Sequence, residues 1–264
     1  MKIIHLSDTH INTEILHNID SQKRFKLALN HIKINHSDAD IFIITGDLTH
    51  CGDDTSYQIF INILTEAKFP EHLYPKLIIG NHDDRENFKK NFPNIISDKN
   101  GFIQYVEHFD DKAFIFLDTN LSGTDEGHLC EKRLQWLKEI LYKQENKKIY
   151  LFMHHNPLAL NDDRSDRIGL VQRDDLKKIL LQFQNTIQHI CFGHQHITSS
   201  GKYLGISFSS PRSTWVPLIP NFSDQYKLLT ANTDPNYDII LIKEESLIVH
   251  TQDFLKTDVN LFTG

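Results

Sequence analysis

Cysteine is scarce in this chain: Cys51, Cys130 and Cys191 are the only three in 264 residues. Their odd number, wide spacing and lack of a Cys-x-x-Cys pair exclude a disulfide framework and a thiolate zinc site, so a reducing compartment is expected. Long apolar runs are also missing, and none approaches the roughly 18 residues of a membrane span. Met1-Lys2 runs straight into an apolar strand, which leaves no room for a cleavable secretory segment and makes the cytoplasm the expected location. Basic residues are outnumbered, 28 against 35 acids for a net charge of −7. Without a clustered basic surface, long nucleic acids are not expected partners. Neither a Gly-x-Ser-x-Gly nor a catalytic-cysteine signature is present, so no covalent intermediate is called for, and there is no Gly-x-x-x-x-Gly-Lys phosphate loop. Repeats and low-complexity tracts are absent too. What remains, 39% hydrophobic and 24% charged, is ordinary globular composition. The length suits one domain over 1–264, although two would fit.

Histidine, by contrast, is abundant, with 16 residues. Several fall into five short blocks: Asp8-Thr9-His10, Gly46-Asp47, Gly80-Asn81-His82-Asp83, His154-His155 and Gly193-His194-Gln195-His196. Each follows an apolar run, namely Ile3–Leu6, Ile41–Ile44, Leu77–Ile79, Ile149–Phe152 and the shorter Ile190–Phe192. Ligand-type side chains thus recur at strand ends. His5, His17, His31, His36, His72, His108, His128 and His250 lie outside the blocks and are read mostly as solvated or as standing behind the site.

Helical spacing of apolar residues predicts helices over Ser21–His36, Tyr57–Ala67, Glu131–Gln144 and Asp174–Phe183. Leu134, Trp136 and Leu137 are assigned to helix packing. Phe102–Glu107 and Lys112–Leu117 read as paired strands around Asp110-Asp111, and Lys202–Ser209, Tyr237–Lys243 and Ser246–Thr251 as shorter strands. Glu244-Glu245 would turn the last hairpin. The long, Pro-containing stretch 210–236 is expected to be a loop region bordering the site, with 253–264 a C-terminal tail. Strand–helix alternation implies a parallel sheet with right-handed crossovers, whose ligands sit beyond the carboxyl ends of the strands.

The spacing of Asp8 and His10 places both on one side of an extended backbone, where they can grip one ion together, and His194 with His196 repeats that pattern. Imidazole nitrogen combined with carboxylate and carboxamide oxygen suits manganese, iron, cobalt or zinc rather than calcium. Two such cations about 3.5–4 Å apart need an anionic bridge, and a water they share is acidified towards a pKa of about 7, giving a hydroxide able to attack phosphorus. Asp47 is the candidate bridge.

In this order the five blocks resemble the signature of the calcineurin-like, binuclear metallophosphoesterases, over Ile3 to about Ile197. The resemblance implies an α/β fold, a four-layer α/β/β/α sandwich of two mixed sheets. It also implies a pair of divalent ions (Mn, Fe or Zn) with a bridging hydroxide. Asp8, His10, Asp47 and His196 would hold one ion, and Asp47, Asn81, His154 and His194 the other. His82 is similar to the family histidine that contacts phosphate and assists the leaving oxygen.

Further stretches resemble the bacterial class III cyclic-nucleotide phosphodiesterases, the CpdA-like group. These are Gly80–Arg85, Leu117–Asn120 with Gly123 and Gly127-His128-Leu129 before the Gln135-Trp136-Leu137 helix, His154–Pro157, and Gly205-Ile206-Ser207 with Ser210–Thr214. The resemblance implies hydrolysis of 3′,5′-cyclic nucleotides, cyclic AMP favoured, to 5′-monophosphates. Alternatives are another phosphoesterase on this scaffold, acting on glycerophosphodiesters, dinucleoside polyphosphates or lipid-sugar diphosphates, or a non-catalytic interaction scaffold. The partner is then a small-molecule phosphodiester, and homo-oligomers stay open. His50, where relatives often carry an acid, and Trp215-Val216-Pro217 depart from the pattern. His155 is read as either a phosphate contact or a support behind the ions. Asp83 would orient a histidine or make a turn, Arg85 would meet the phosphate or Asp84, and Asp118 would stand behind the site.

Overall fold

The computed structural model describes residues 1–222, 229–230 and 233–255. Strands β1 (Lys2–Leu6), β2 (Ile41–Thr45) and β3 (Lys76–Ile78) alternate with helices α1 (Ser21–Asn35) and α2 (Asp54–Ala67). After α3 (Arg85–Asn91) come β4 (Tyr105–Phe109), β5 (Lys112–Phe116), α4 (Glu131–Lys143), β6 (Lys148–Phe152), α5 (Asp163–Arg167), α6 (Arg173–Gln182) and β7 (Ile187–Cys191). The chain closes with β8 (Ser199–Tyr203), β9 (Ile206–Ser210), β10 (Leu218–Ile219), β11 (Leu229–Thr230), β12 (Asn236–Ile242) and β13 (Leu247–Asp253).

Two mixed sheets result. One has the order β13-β12-β1-β2-β3, the other β4-β5-β6-β7-β9-β8. The first is parallel through β1, β2 and β3 and antiparallel at β12 and β13. The second is parallel from β5 to β9 with antiparallel β4 and β8 at its rims. Period-two alternation sorts the core. On β1 and β2, Ile4, Phe42 and Ile44 face Phe25, Leu29, Phe60 and Leu64 of α1 and α2. Their neighbours Ile3, Ile41 and Ile43 face Phe114, Phe116, Tyr150 and Phe152 of the other sheet. Ile115, Leu117, Leu151 and Ile190 carry Leu137, Leu141, Leu176 and Leu180 of α4 and α6. Both faces of each sheet are thus covered, giving the α/β/β/α order, and each such large apolar side chain contributes about 1.5–3 kcal/mol when fully buried.

Helix starts are set by side-chain caps: Asp20 accepts from Lys23 N and Asp53 from Ser56 N. The second cap starts α2 three residues before Tyr57. Lys202–Ser209 is not one strand but two, because Leu204 and Gly205 take left-handed backbone (φ 54° and 82°), the signature of a two-residue hairpin turn. The stretch 210–236 is not all loop: Leu218 and Ile219 pair with Thr230 and Leu229, while 223–228 and 231–232 lie outside the described residues. Of the expected tail, Asp253 closes β13, Phe254 is buried against Tyr237, and 256–264 lie outside the described residues. Among the described residues no helix is long and apolar enough to cross a membrane.

Not all outlying histidines are solvated. His5 and His189 are buried between the sheets; His5 Nε2 meets Thr45 Oγ1 at 2.8 Å, and the His189 ring lies between the hydroxyls of Ser207 and Ser209. Burial, with a smaller push from His189, lowers His5 to about 3; burial lowers His189 to about 4 and raises buried Asp238 to about 7. A histidine lowered from 6.5 withdraws stability as pH falls towards its folded value, whereas Asp238 runs the other way between 3.8 and about 7. His189→Gln is therefore expected to flatten the fall in stability between about pH 6.5 and pH 4. Urea midpoints of metal-stripped variant and parent check this; parallel curves would contradict it.

Candidate metal centre

All five blocks lie just past the carboxyl ends of parallel strands: Asp8 and His10 after β1, Asp47 after β2, Asn81 and His82 after β3, His154 after β6, His194 and His196 after β7. The expected extended Asp-x-His geometry is not what brings them in. Asp8 (φ 57°), His10 (φ 44°), Asp47 (φ 47°), His194 (φ 69°) and His196 (φ 57°) all adopt left-handed backbone. Such backbone costs of order 1–3 kcal/mol per residue and collects at functional sites. Cross-loop bonds hold it: Asp8 N to Gly46 O at 3.2 Å, His10 N to Asp47 O at 2.9 Å, and His194 N to the Asp8 carboxylate at 3.0 Å.

Asp8, His10, Asp47 and His196 offer donor atoms that lie within 4.8 Å of one another. His10 Nε2 stands 3.0 Å from His196 Nε2, 3.5 Å from Asp47 Oδ2 and 4.0 Å from Asp8 Oδ1. Alongside, His154 Nε2 is 3.3 Å from the same Asp47 Oδ2 and 3.1 Å from Asn81 Oδ1. The His194 ring lies 5.0 Å from that of His154, and His154, His155 and His194 form a second donor group. Asp47 thus stands between two clusters. His194 and His196 do not share one centre, since the left-handed turn at each sends their rings to different clusters.

The donor chemistry fits divalent cations. His154 Nδ1 meets Thr45 O at 2.7 Å, His196 Nδ1 meets Val216 O at 2.8 Å, and His194 Nε2 meets Ile168 O at 2.9 Å. A nitrogen held to a carbonyl carries the proton and leaves the other bare, as a metal-holding imidazole requires. Burial holds His10 and His194 well below the ordinary histidine value, so they are neutral. Burial pulls His154 down too, but Asp47 and Asp8 prevail and push it up to about 9. That proton is one a cation would displace. Neither cluster contains a thiol.

The loops are locked from behind. Buried Asp83 accepts from the amides of Leu48, Thr49 and Gly80 and from Tyr57 Oη, so it ties the Asp47 turn to the Asn81 turn and contacts no histidine ring. Arg85 forks onto Asp118 at 2.7 and 2.9 Å and also donates to Asn120 O at 2.8 Å. Asn120 Nδ2 donates to Gly80 O and Asp83 O. Buried Arg133 donates to the carbonyls of Asp118 and Asn120. Nothing in the sequence distinguishes Arg133 from a solvated helix arginine. His155 Nδ1 meets Thr119 Oγ1 at 2.8 Å, and its ring lies 4.4 Å from that of His194. His155 is fully buried, and its Nε2 has no hydrogen-bond partner among the described residues.

A Cβ at Gly80 would stand 2.5 Å from Asp47 N and 2.7 Å from His154 Nε2. Gly80→Ala is expected to cost about 1–3 kcal/mol, as overpacking does, and to weaken cation binding at least tenfold or so. Thermal denaturation and metal content check both; parent-like values would contradict the close approach.

His82 sits at the rim. Its amide donates to Asp47 Oδ1 at 2.9 Å and its Nδ1 meets His50 O at 2.8 Å. Burial lowers His82, but Asp47, the His50 carbonyl and Asp83 outweigh it, leaving the imidazole above its ordinary value. The cavity over the clusters, about 520 Å³, is walled by Arg24, Arg164, Ile168 and Trp215 among others. Trp215 lies 4.8 Å from the His10 ring and 5.1 Å from that of His50. Its tryptophan type alone gave no sign of that place.

Two sheets stand back to back between helices, with imidazole–carboxylate clusters at their shared rim that could hold metal ions. A dimetal phosphatase from Danio rerio superposes on the chain with a TM-score of 0.69, covering 97% of each chain at 12% identity, so the fold is shared. The chain belongs to the calcineurin-like phosphoesterases, whose family pattern matches residues 1–198. Among relatives, a probable cyclic nucleotide phosphodiesterase of Rhodopseudomonas palustris is 28% identical over 97% of this chain and 93% of its own length. A probable glycerophosphodiester phosphodiesterase of Arcobacter nitrofigilis is 30% identical over 80% of this chain and 78% of its own.

Proposed function

We propose that the protein is a metal-dependent phosphodiesterase that hydrolyses 3′,5′-cyclic nucleotides, cyclic AMP foremost, to 5′-monophosphates. The observation carrying this reading is the placement of Asp47 Oδ2 between His10 and His154, 3.5 and 3.3 Å away, with His82 beside it. Asp8, His10, Asp47 and His196 would hold one divalent ion, manganese, iron or zinc, and Asp47, Asn81, His154 and His194 a second. Such ions supply Lewis acidity to the phosphoryl oxygen and lower the pKa of water to about 7.

The chain's own groups supply the rest. Asn81 turns Oδ1 towards His154 and Nδ2 towards Asp125, 3.5 Å away at the cavity edge, where the amide can donate to a phosphoryl oxygen. His82, pinned through Nδ1, presents Nε2 to the same cavity. A water oxygen bonds to phosphorus as the bond to ribose O3′ breaks; imidazolium His82 gives its proton to that leaving oxygen, and the proton the water sheds passes to solvent, from which His82 is recharged. Burial of the clusters strengthens these charge interactions where charge grows in the transition state.

The second reading, a glycerophosphodiester substrate, is favoured by the Arcobacter nitrofigilis relative. A substrate panel on chelator-stripped protein with manganese, iron or zinc restored separates the two. Cyclic AMP is expected to exceed glycerophosphodiesters and diphosphates in kcat/KM by about tenfold or more. A reversed order selects the second reading. No turnover of any of them, nor of an aryl phosphodiester, would leave an interaction scaffold.

A further inference from the structure

We infer that His50 is a positioning residue that fixes the ring orientation of both His10 and His82. The inference rests on the reading of His10 as a metal-holding residue. His10 Nε2 faces Asp8, Asp47 and His196, so the proton of its neutral ring belongs on Nδ1. The acceptor that Nδ1 meets is His50 Nδ1, at 3.4 Å, the long end of an N–H···N contact. His154, His194 and His196 lean instead on the carbonyls of Thr45, Ile168 and Val216. His10 differs from them in leaning on a side chain, and a side chain can be changed.

His50 serves His82 through a different atom. Its carbonyl accepts from His82 Nδ1 at 2.8 Å, and the two rings stack at 4.9 Å with 25° between their planes. Trp215 closes the other side, 5.1 Å from the His50 ring. The ring is thereby held in one orientation, with Nδ1 towards His10. A neutral imidazole draws the His10 proton less strongly than a carboxylate would, which leaves His10 Nε2 a weaker donor to a cation. His50 thus sets the affinity of one cluster through its ring and the tautomer of His82 through its backbone.

The test titrates metal-stripped protein with zinc against a competing chelator, for the parent, His50→Ala and His50→Asp. His50→Ala is expected to weaken one of the two binding steps about 10–100-fold and leave the other unchanged. His50→Asp is expected to bind at that step at least as tightly as the parent. In ¹⁵N spectra of the zinc-loaded imidazoles, His10 should be protonated at Nδ1 in parent and variant alike, with its Nδ1 resonance shifted in His50→Ala as the hydrogen bond to the His50 ring is lost. His82 should keep its own, because the carbonyl remains. Two steps within about twofold of the parent in His50→Ala would overturn the inference, as would His50→Asp weakening binding as much as alanine does. A third zinc equivalent lost with His50 would overturn it by making the ring itself a ligand. Should both variants fail to fold, the parent spectrum decides, and His10 protonated at Nε2 overturns it. A parent that binds no zinc overturns instead the reading on which the inference stands.

Discussion

Asp47→Ala is expected to lower phosphodiester turnover by about three orders of magnitude or more and to strip cations from both clusters. One carboxylate does three things at this position. Oδ2 lies between His10 and His154, Oδ1 takes the His82 amide, and the negative charge stands among imidazoles that are otherwise neutral or compete for a proton. Burial pushes this carboxyl up, but the charge and hydrogen bond of His154 prevail and hold it well below the usual range. Alanine leaves two half-cages without a shared anion. Asparagine keeps the shape without the charge, so Asp47→Asn is expected to lose nearly as much. Metal content by mass spectrometry, with kcat on bis(p-nitrophenyl) phosphate, checks both variants. Activity within about tenfold of the parent with both ions retained would contradict the bridging role.

The second large effect belongs to His82. His82→Ala is expected to keep the cations, since His82 is not among the residues placed to hold either ion, and to lower kcat on cyclic AMP by about 10²–10⁴-fold, the range of a lost general acid. A diagnostic lies in the leaving group. The ribose oxygen is a strongly basic leaving group that needs a proton, whereas p-nitrophenolate departs without one. The loss should shrink to about tenfold or less on bis(p-nitrophenyl) phosphate. Equal losses on both substrates would mean that the His82 ring acts otherwise than by giving a proton to the leaving oxygen.

Much of this site is legible in the sequence because its parts are local. Each block succeeds a strand that reads from its own β-branched residues, and parallel strands deliver the residues at their carboxyl ends to one rim whatever the details of packing. The helices come from apolar periodicity, whereas the four layers and two mixed sheets are implied by the resemblance to the calcineurin-like metallophosphoesterases. The features that the sequence hides depend on contacts between distant segments or on backbone torsions. Asp8-x-His10 looks like extended backbone, yet Gly46 O and Asp47 O hold the residues in left-handed turns. The Lys202–Ser209 run reads as one strand until Leu204 and Gly205 reverse it. Arg85 reads as a partner of the phosphate or Asp84, and Arg133 as a solvated helix arginine, until the fold sets both on Asp118, 33 and 15 residues away in sequence. His50 stands where relatives often carry an acid, and only its distance to His10 shows what it touches.

The sharpest check is a count of the ions. Protein stripped with chelator, saturated with manganese and dialysed should hold two ions per chain by elemental analysis, with turnover rising as the second site fills. His196→Ala should leave one ion and lose turnover, because it opens only the cluster of Asp8 and His10. A parent that holds fewer than two ions at saturation, or that turns over phosphodiesters equally well after stripping, would contradict a pair of cations held around Asp47.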